Sequence, residues 1–215
     1  MPTSHASQLN EIVELIVLTC PQKLLDIGVG FGKYGFLSRE YLDIAQGRLE
    51  RSKWKVRIDG IEVFDKYVTP IHDYVYDTVH IGNVLDILKT LPCQYDLILL
   101  IGVLEHFDRE DGFSVLRQCL KQGRNALVSV PRKNGAQGTV CSNLYETHKY
   151  QWTPRDFRAF KGKCFVANPL SIICYIGDDW HDVRRANCSR RRRQRLSSVL
   201  DSLCLKEPLK WVLRR

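Results

Sequence analysis

The sequence predicts an α/β domain built on a mostly parallel sheet, and three observations carry that prediction. Short apolar segments near 24–28, 56–62, 78–81, 96–101 and 124–130 alternate with stretches of helical periodicity, the rhythm of consecutive strand–helix units. The segment from Tyr95 to Ile101 is almost wholly apolar, as suits a central strand covered on both faces. The first apolar segment runs directly into Gly28-Val29-Gly30-Phe31-Gly32-Lys33-Tyr34-Gly35, a turn crowded with glycine.

The elements follow in chain order. Leu9 to Leu18 reads as an amphipathic helix that carries Glu11 and Glu14 and lacks the basic flank of a signal peptide. It is expected to cover one side of a cleft. Leu24 to Gly28 forms the first strand. In the turn after it, backbone without Cβ atoms can lie against a ligand, and the next helix begins with free N–H groups. Four glycines in eight residues weaken a helix start too much to serve packing alone. This is the cofactor loop of a Rossmann-like sheet. Gly30-x-Gly32-x-x-Gly35 matches the dinucleotide fingerprint, so a nicotinamide dinucleotide is one candidate. The turn begins earlier, however, at Gly28, and Asp26 precedes it. A carboxylate there suits a cationic amino-acid group better than a pyrophosphate.

Val56 to Val63 reads as a second strand whose terminal acid, Glu62, can accept hydrogen bonds from two vicinal ribose hydroxyls. His80-Ile81-Gly82-Asn83-Val84-Leu85-Asp86 ends the third strand, and the Asn83 amide can both donate and accept. The fourth strand ends in Gly102-Val103-Leu104-Glu105-His106-Phe107. Open α/β sheets bind ligands outside the carboxyl ends of their strands, which makes Glu105 and His106 candidate reactive groups. Asp111 to Gln122 has apolar residues at helical spacing. Val128-Ser129-Val130-Pro131 closes a fifth strand. The long segment after it contains His148, Tyr150 and Trp152. These three form a candidate acceptor pocket, with an aromatic loop packed on the core as the equal alternative. Thr153-Pro154-Arg155-Asp156 predicts a capped helix start. Phe165 to Ala167 and Ser171 to Gly177 are the last two strands, and Asp178 to Asp182 is a polar strand exit.

Asp26-x-Gly28-x-Gly30-x-Gly32, the acid Glu62, Asn83 and Leu104-Glu105-His106 together resemble the motifs of class I S-adenosylmethionine (SAM) methyltransferases of the Leu-Glu-His type. The resemblance covers roughly residues 24–178. It implies a Rossmann-like, mostly parallel seven-stranded sheet with an antiparallel last strand and helices on both faces. It implies SAM as cofactor, with Asp26, Gly28, Gly30 and Gly32 at the amino-acid moiety. Glu62 and Val63 then meet the ribose, Asn83 and Val84 the adenine, and Ile101 and Gly102 line the site. His106 is implied as general base, and Glu105 as its orienting partner or a substrate ligand. The activity implied is methyl transfer to a small-molecule acceptor, most plausibly at a hydroxyl oxygen. Small-RNA 2′-O-methyltransferases hold a metal with Glu-x-x-Glu-His and a further His. Gly102 replaces the first of those acids, so no metal is expected.

Charge divides the chain. Residues 184–215 hold 11 of the 32 Lys and Arg but only 2 of the 24 Asp and Glu, which leaves 1–183 near neutrality with 21 basic and 22 acidic side chains. The division expected is a catalytic domain, 1–183, and a basic Arg-rich tail, 184–215. Seven arginines within 184–195 can contact nucleic acid or an acidic protein. The alternative function is therefore an RNA- or protein-directed methyltransferase, or a SAM-binding module docked through that tail. No apolar run reaches the length of a membrane span. Eight scattered cysteines without a Cys-x-x-Cys pair read as free thiols in a reducing compartment. A cytoplasmic location is expected.

Overall fold

A computed structural model describes residues 4–92, 94–133 and 143–189. Seven strands form one sheet: β1 Lys23–Ile27, β2 Arg57–Glu62, β3 Thr78–Ile81, β4 Tyr95–Ile101, β5 Gly123–Pro131, β6 Lys163–Val166 and β7 Ser171–Gly177. Their order is β3-β2-β1-β4-β5-β7-β6. All neighbours from β3 through β5 are parallel, whereas β7 runs antiparallel to both β5 and β6. The order reverses between β1 and β4, each leading to a helix on a different side of the sheet. A crevice therefore opens at their carboxyl ends.

Both faces of the sheet are covered because successive side chains of a strand point to opposite sides. On one face Leu25, Ile27, Ile98 and Leu100 pack with residues of α4 (Val84–Thr90) and α5 (Arg109–Gln122), and with Trp152, Phe157 and Phe160. On the other, Leu24, Leu97, Leu99 and Ile101 pack with α1 (Leu9–Thr19), α2 (Lys33–Leu42) and α3 (Pro70–Val75). The continuous apolar run of β4 is thus explained by two cores, and each of its residues from Leu97 to Leu100 is fully buried.

Two local expectations are corrected. The segment after Thr153 makes only a 3-10 turn, Asp156–Ala159, and the Asp156 carboxylate accepts from both the N–H and the hydroxyl of Thr153. Asp178 and Asp179 do form the polar turn that leaves β7, but Trp180 to Asp182 already belong to a helix, α6 (180–189), tied to β5 where Asn125 Nδ2 donates to Asp179. The position 183/184 therefore lies inside α6, and the tail from 190 onward lies outside the described residues. Cys119, Cys164 and Cys174 are buried thiols outside any disulfide, while Cys20 and Cys188 are exposed. Among the described residues no helix is long and apolar enough to cross a membrane.

Candidate active site

The crevice is a cavity of about 1260 Å³ at the carboxyl ends of β1, β2, β4 and β5. Its floor is the glycine loop. Gly28 takes φ +72°, and a Cβ there would lie 2.8 Å from the Val103 side chain. Only glycine lets β1 turn away under the β4 exit. Gly28 and Gly30 line the cavity, whereas Gly32 does not; it starts α2 with φ +81°.

Glu62 stands where β2 ends, 5% exposed and lining the cavity. One carboxylate oxygen accepts from Gly30 N at 2.9 Å, the other from Val63 N and Phe64 N at 3.0 Å each. Burial pushes its carboxyl up, and these three N–H groups oppose that shift. Val63, Val84, Ile101 and Gly102 line the same cavity. So does Asn83, whose Oδ1 caps α4 by accepting from Leu85 N at 2.9 Å.

Asp26 is placed elsewhere. It does not line the cavity but is buried beneath α2, where it accepts the Tyr76 hydroxyl at 2.7 Å and the Gly35 N–H. Strand parity explains this, since Asp26 shares its face with Leu24, on the α1–α2–α3 side. Burial pushes its carboxyl up to about 7 against the Tyr76 hydrogen bond. Below the loop, His72 is fully buried; its Nδ1 accepts from Thr69 N at 3.0 Å, which leaves Nε2 to donate to the Gly30 carbonyl at 3.0 Å. Nothing in the sequence marked His72.

Across the cavity, the 3-10 turn Leu104–His106 follows β4 and presents Glu105 and His106. The segment 147–150 docks on this turn: Lys149 N donates to the Glu105 carbonyl at 2.8 Å, and His106 Nδ1 lies 3.3 Å from the Thr147 carbonyl. That contact gives Nδ1 the proton and leaves the lone pair on Nε2. The rings of His106 and His148 are 5.1 Å apart, and His148 also lines the cavity. Burial lowers the His106 pKa, so the ring is neutral near pH 7. Glu105 is 4% exposed and its Oε2 has no hydrogen-bond partner. Burial, with the nearby negative Glu146, pushes its carboxyl up to about 8.

Tyr150 and Trp152 are not in the cavity. Trp152 is 1% exposed and donates its indole N–H to the Leu104 carbonyl at 3.0 Å, holding the reactive turn from beneath. The Tyr150 hydroxyl donates to Asp156. The core-packing alternative holds for both, because the chain turns inward after His148. Glu146 is a lining residue that the sequence reading passed over; it accepts from the Tyr67 hydroxyl at 3.2 Å.

The near wall comes from the N-terminus. Ser4, His5, Ala6 and Gln8 line the cavity. Lys33 Nζ donates to the Ser4 carbonyl at 2.8 Å, Asn168 Nδ2 donates to the Ser7 carbonyl at 2.8 Å, and the Ser129 hydroxyl donates to Gln8.

No family model matches the chain, and no curated relative does. Solved structures do. A SAM-dependent methyltransferase from Archaeoglobus fulgidus aligns over 80% of this chain and 92% of its own, with TM-score 0.59 and 14% identity. A putative O-methyltransferase from Nostoc punctiforme aligns over 80% of this chain at TM-score 0.54 and 18% identity; this chain covers 57% of that protein's length. The magnesium protoporphyrin IX methyltransferase of Synechocystis, solved with bound SAM, aligns over 80% of this chain and 78% of its own, at TM-score 0.52 and 15% identity. With its strand order, its reversed β7 and its crevice beyond β1 and β4, the chain has the class I SAM-dependent methyltransferase fold.

Proposed function

We propose that this chain is a SAM-dependent methyltransferase that transfers the methyl group to a hydroxyl oxygen of a small-molecule acceptor. One observation carries the reading: a single cavity has the buried carboxylate of Glu62 at the end of β2 and a Glu105–His106–His148 cluster at the end of β4. In this reading Glu62 accepts the two ribose hydroxyls, and Gly28 and Gly30 run beneath the amino-acid moiety. Asn83 and Val84 border the adenine, with Val63, Ile101 and Gly102 between them. The volume of about 1260 Å³ exceeds the usual range for one small ligand, which leaves space for an acceptor beside the cofactor.

Transfer from a sulfonium is an in-line displacement, so alignment supplies most of the acceleration. The acceptor hydroxyl must also lose a proton. His106 is neutral near pH 7 with its Nε2 lone pair free of the Thr147 contact, as a general base requires. Glu105 and His148 flank it and orient the acceptor.

Calorimetric titration with S-adenosylhomocysteine tests the cofactor, with Glu62→Ala in parallel. Micromolar binding that weakens at least tenfold in the variant is expected, the value of one charge-assisted hydrogen bond or more. Absence of binding by the wild-type chain refutes the proposal. A panel of hydroxylated acceptors assayed by S-adenosylhomocysteine release then tests the reaction, which should be lost in His106→Ala.

A further inference from the structure

We propose that Glu105, His106 and His148 bind a divalent first-row transition-metal ion facing the acceptor. This rests on the reading of that cluster as the acceptor site, and it reverses the absence of a metal expected from Gly102. Among the described residues these three form a group that can each offer one ligand atom, all within 4.8 Å of one another. Zinc-type bonds of about 2.1 Å place tetrahedral ligands roughly 3.4 Å apart, so side-chain rotations closing about 1 Å assemble the site.

Three further observations favour an ion there. The Glu105 side chain is 4% exposed and lines the cavity, yet Oε2 has no hydrogen-bond partner. A buried orphan oxygen is costly unless something occupies its lone pairs. His106 contacts the Thr147 carbonyl through Nδ1, the outer-shell arrangement that fixes the tautomer and presents Nε2 to a metal. His148 is held opposite by the backbone bonds of Lys149 and Tyr150 to the Glu105 carbonyl, so both histidines hang from one rigid turn. Two imidazoles and one carboxylate select zinc, manganese, iron or cobalt over magnesium or calcium.

Gly102 has consequences for how the ion would act. It contributes no ligand, so three protein donors leave coordination positions open toward the cavity. An acceptor hydroxyl bound at one of them would become more acidic; His106 Nε2 would then serve as a ligand in place of its role as base, and the proton would leave to solvent water.

The test uses the full chain stripped with a chelator and titrated with Co(II), followed by visible absorption and calorimetry. One Co(II) per chain is expected, with ligand-field bands that disappear in Glu105→Gln and in His148→Ala. Each variant should bind at least tenfold more weakly. Far-UV circular dichroism and S-adenosylhomocysteine titration of the same variants show whether they are folded. His148→Asn serves as a second variant should His148→Ala fail to fold. No saturable Co(II) binding, or binding unchanged in folded variants, overturns the proposal. Co(II) binding without S-adenosylhomocysteine binding would keep the metal site and refute the methyltransferase reading instead. The reverse result would keep the enzyme and leave His106 as base without an ion.

Discussion

Replacement of Asp26 by Asn should remove a pH dependence from the stability of the domain. Asp26 is buried, and its pKa rises from 3.8 to about 7 in the fold. The sign follows from proton counting. Between pH 4 and 7 the folded chain holds a proton on Asp26 that the unfolded chain has released. Stability therefore falls as pH rises through this window, and it levels off above the folded pKa. Roughly three pK units at 1.36 kcal/mol each amount to about 4 kcal/mol over the full window, of which about 2 kcal/mol falls between pH 5 and 7. Asn keeps one acceptor for the two donors, Tyr76 Oη and Gly35 N, at a constant cost of about 1 kcal/mol. Urea unfolding of both proteins from pH 5 to 8.5 reads the effect. The variant should be equal to or slightly more stable than the wild type at pH 5, and about 3 kcal/mol more stable at pH 8. Parallel profiles would refute the assignment of the shifted proton to Asp26.

Gly35→Ala places a Cβ 2.2 Å from the ring of Tyr76, which is itself fixed to Asp26. It should cost about 1–3 kcal/mol in chemical unfolding despite the better helix propensity of alanine. His72→Ala removes the donor to the Gly30 carbonyl from below the loop. It should weaken S-adenosylhomocysteine binding about tenfold by calorimetry, for one lost buried hydrogen bond. Tyr150→Phe should leave the acceptor KM unchanged and alter stability by less than about 1 kcal/mol, since its hydroxyl donates to Asp156 and the residue does not line the cavity. Trp152→Phe should lower kcat more than it raises KM, because it frees the turn that carries Glu105 and His106.

The strands were legible because each has a pattern that only one structure satisfies. Tyr95 to Ile101 is apolar at every odd and even position but Asp96, and it supplies both cores. Glu62 was legible as a strand-end acid for the same reason. Asp26 shows the limit: the motif fixed its place in the chain, but strand parity turned it under α2 and out of the cavity. Tyr150 and Trp152 failed for a related cause, since aromatic composition does not say which side of a loop faces inward. His72, Glu146 and the wall of Ser4 to Gln8 depend on contacts between distant segments, and no local spacing encodes those.

The N-terminal wall has a consequence for the order in which the protein is made. Gln8 and Ser7 are synthesised early, but their partners Ser129 and Asn168 follow 121 and 161 residues later. Until that later sequence has left the ribosome, a nascent chain can pair β1 with β2 yet cannot seal the chamber. Ligand capture is therefore among the last properties the growing polypeptide acquires, and it reports on completion of the sheet as a whole.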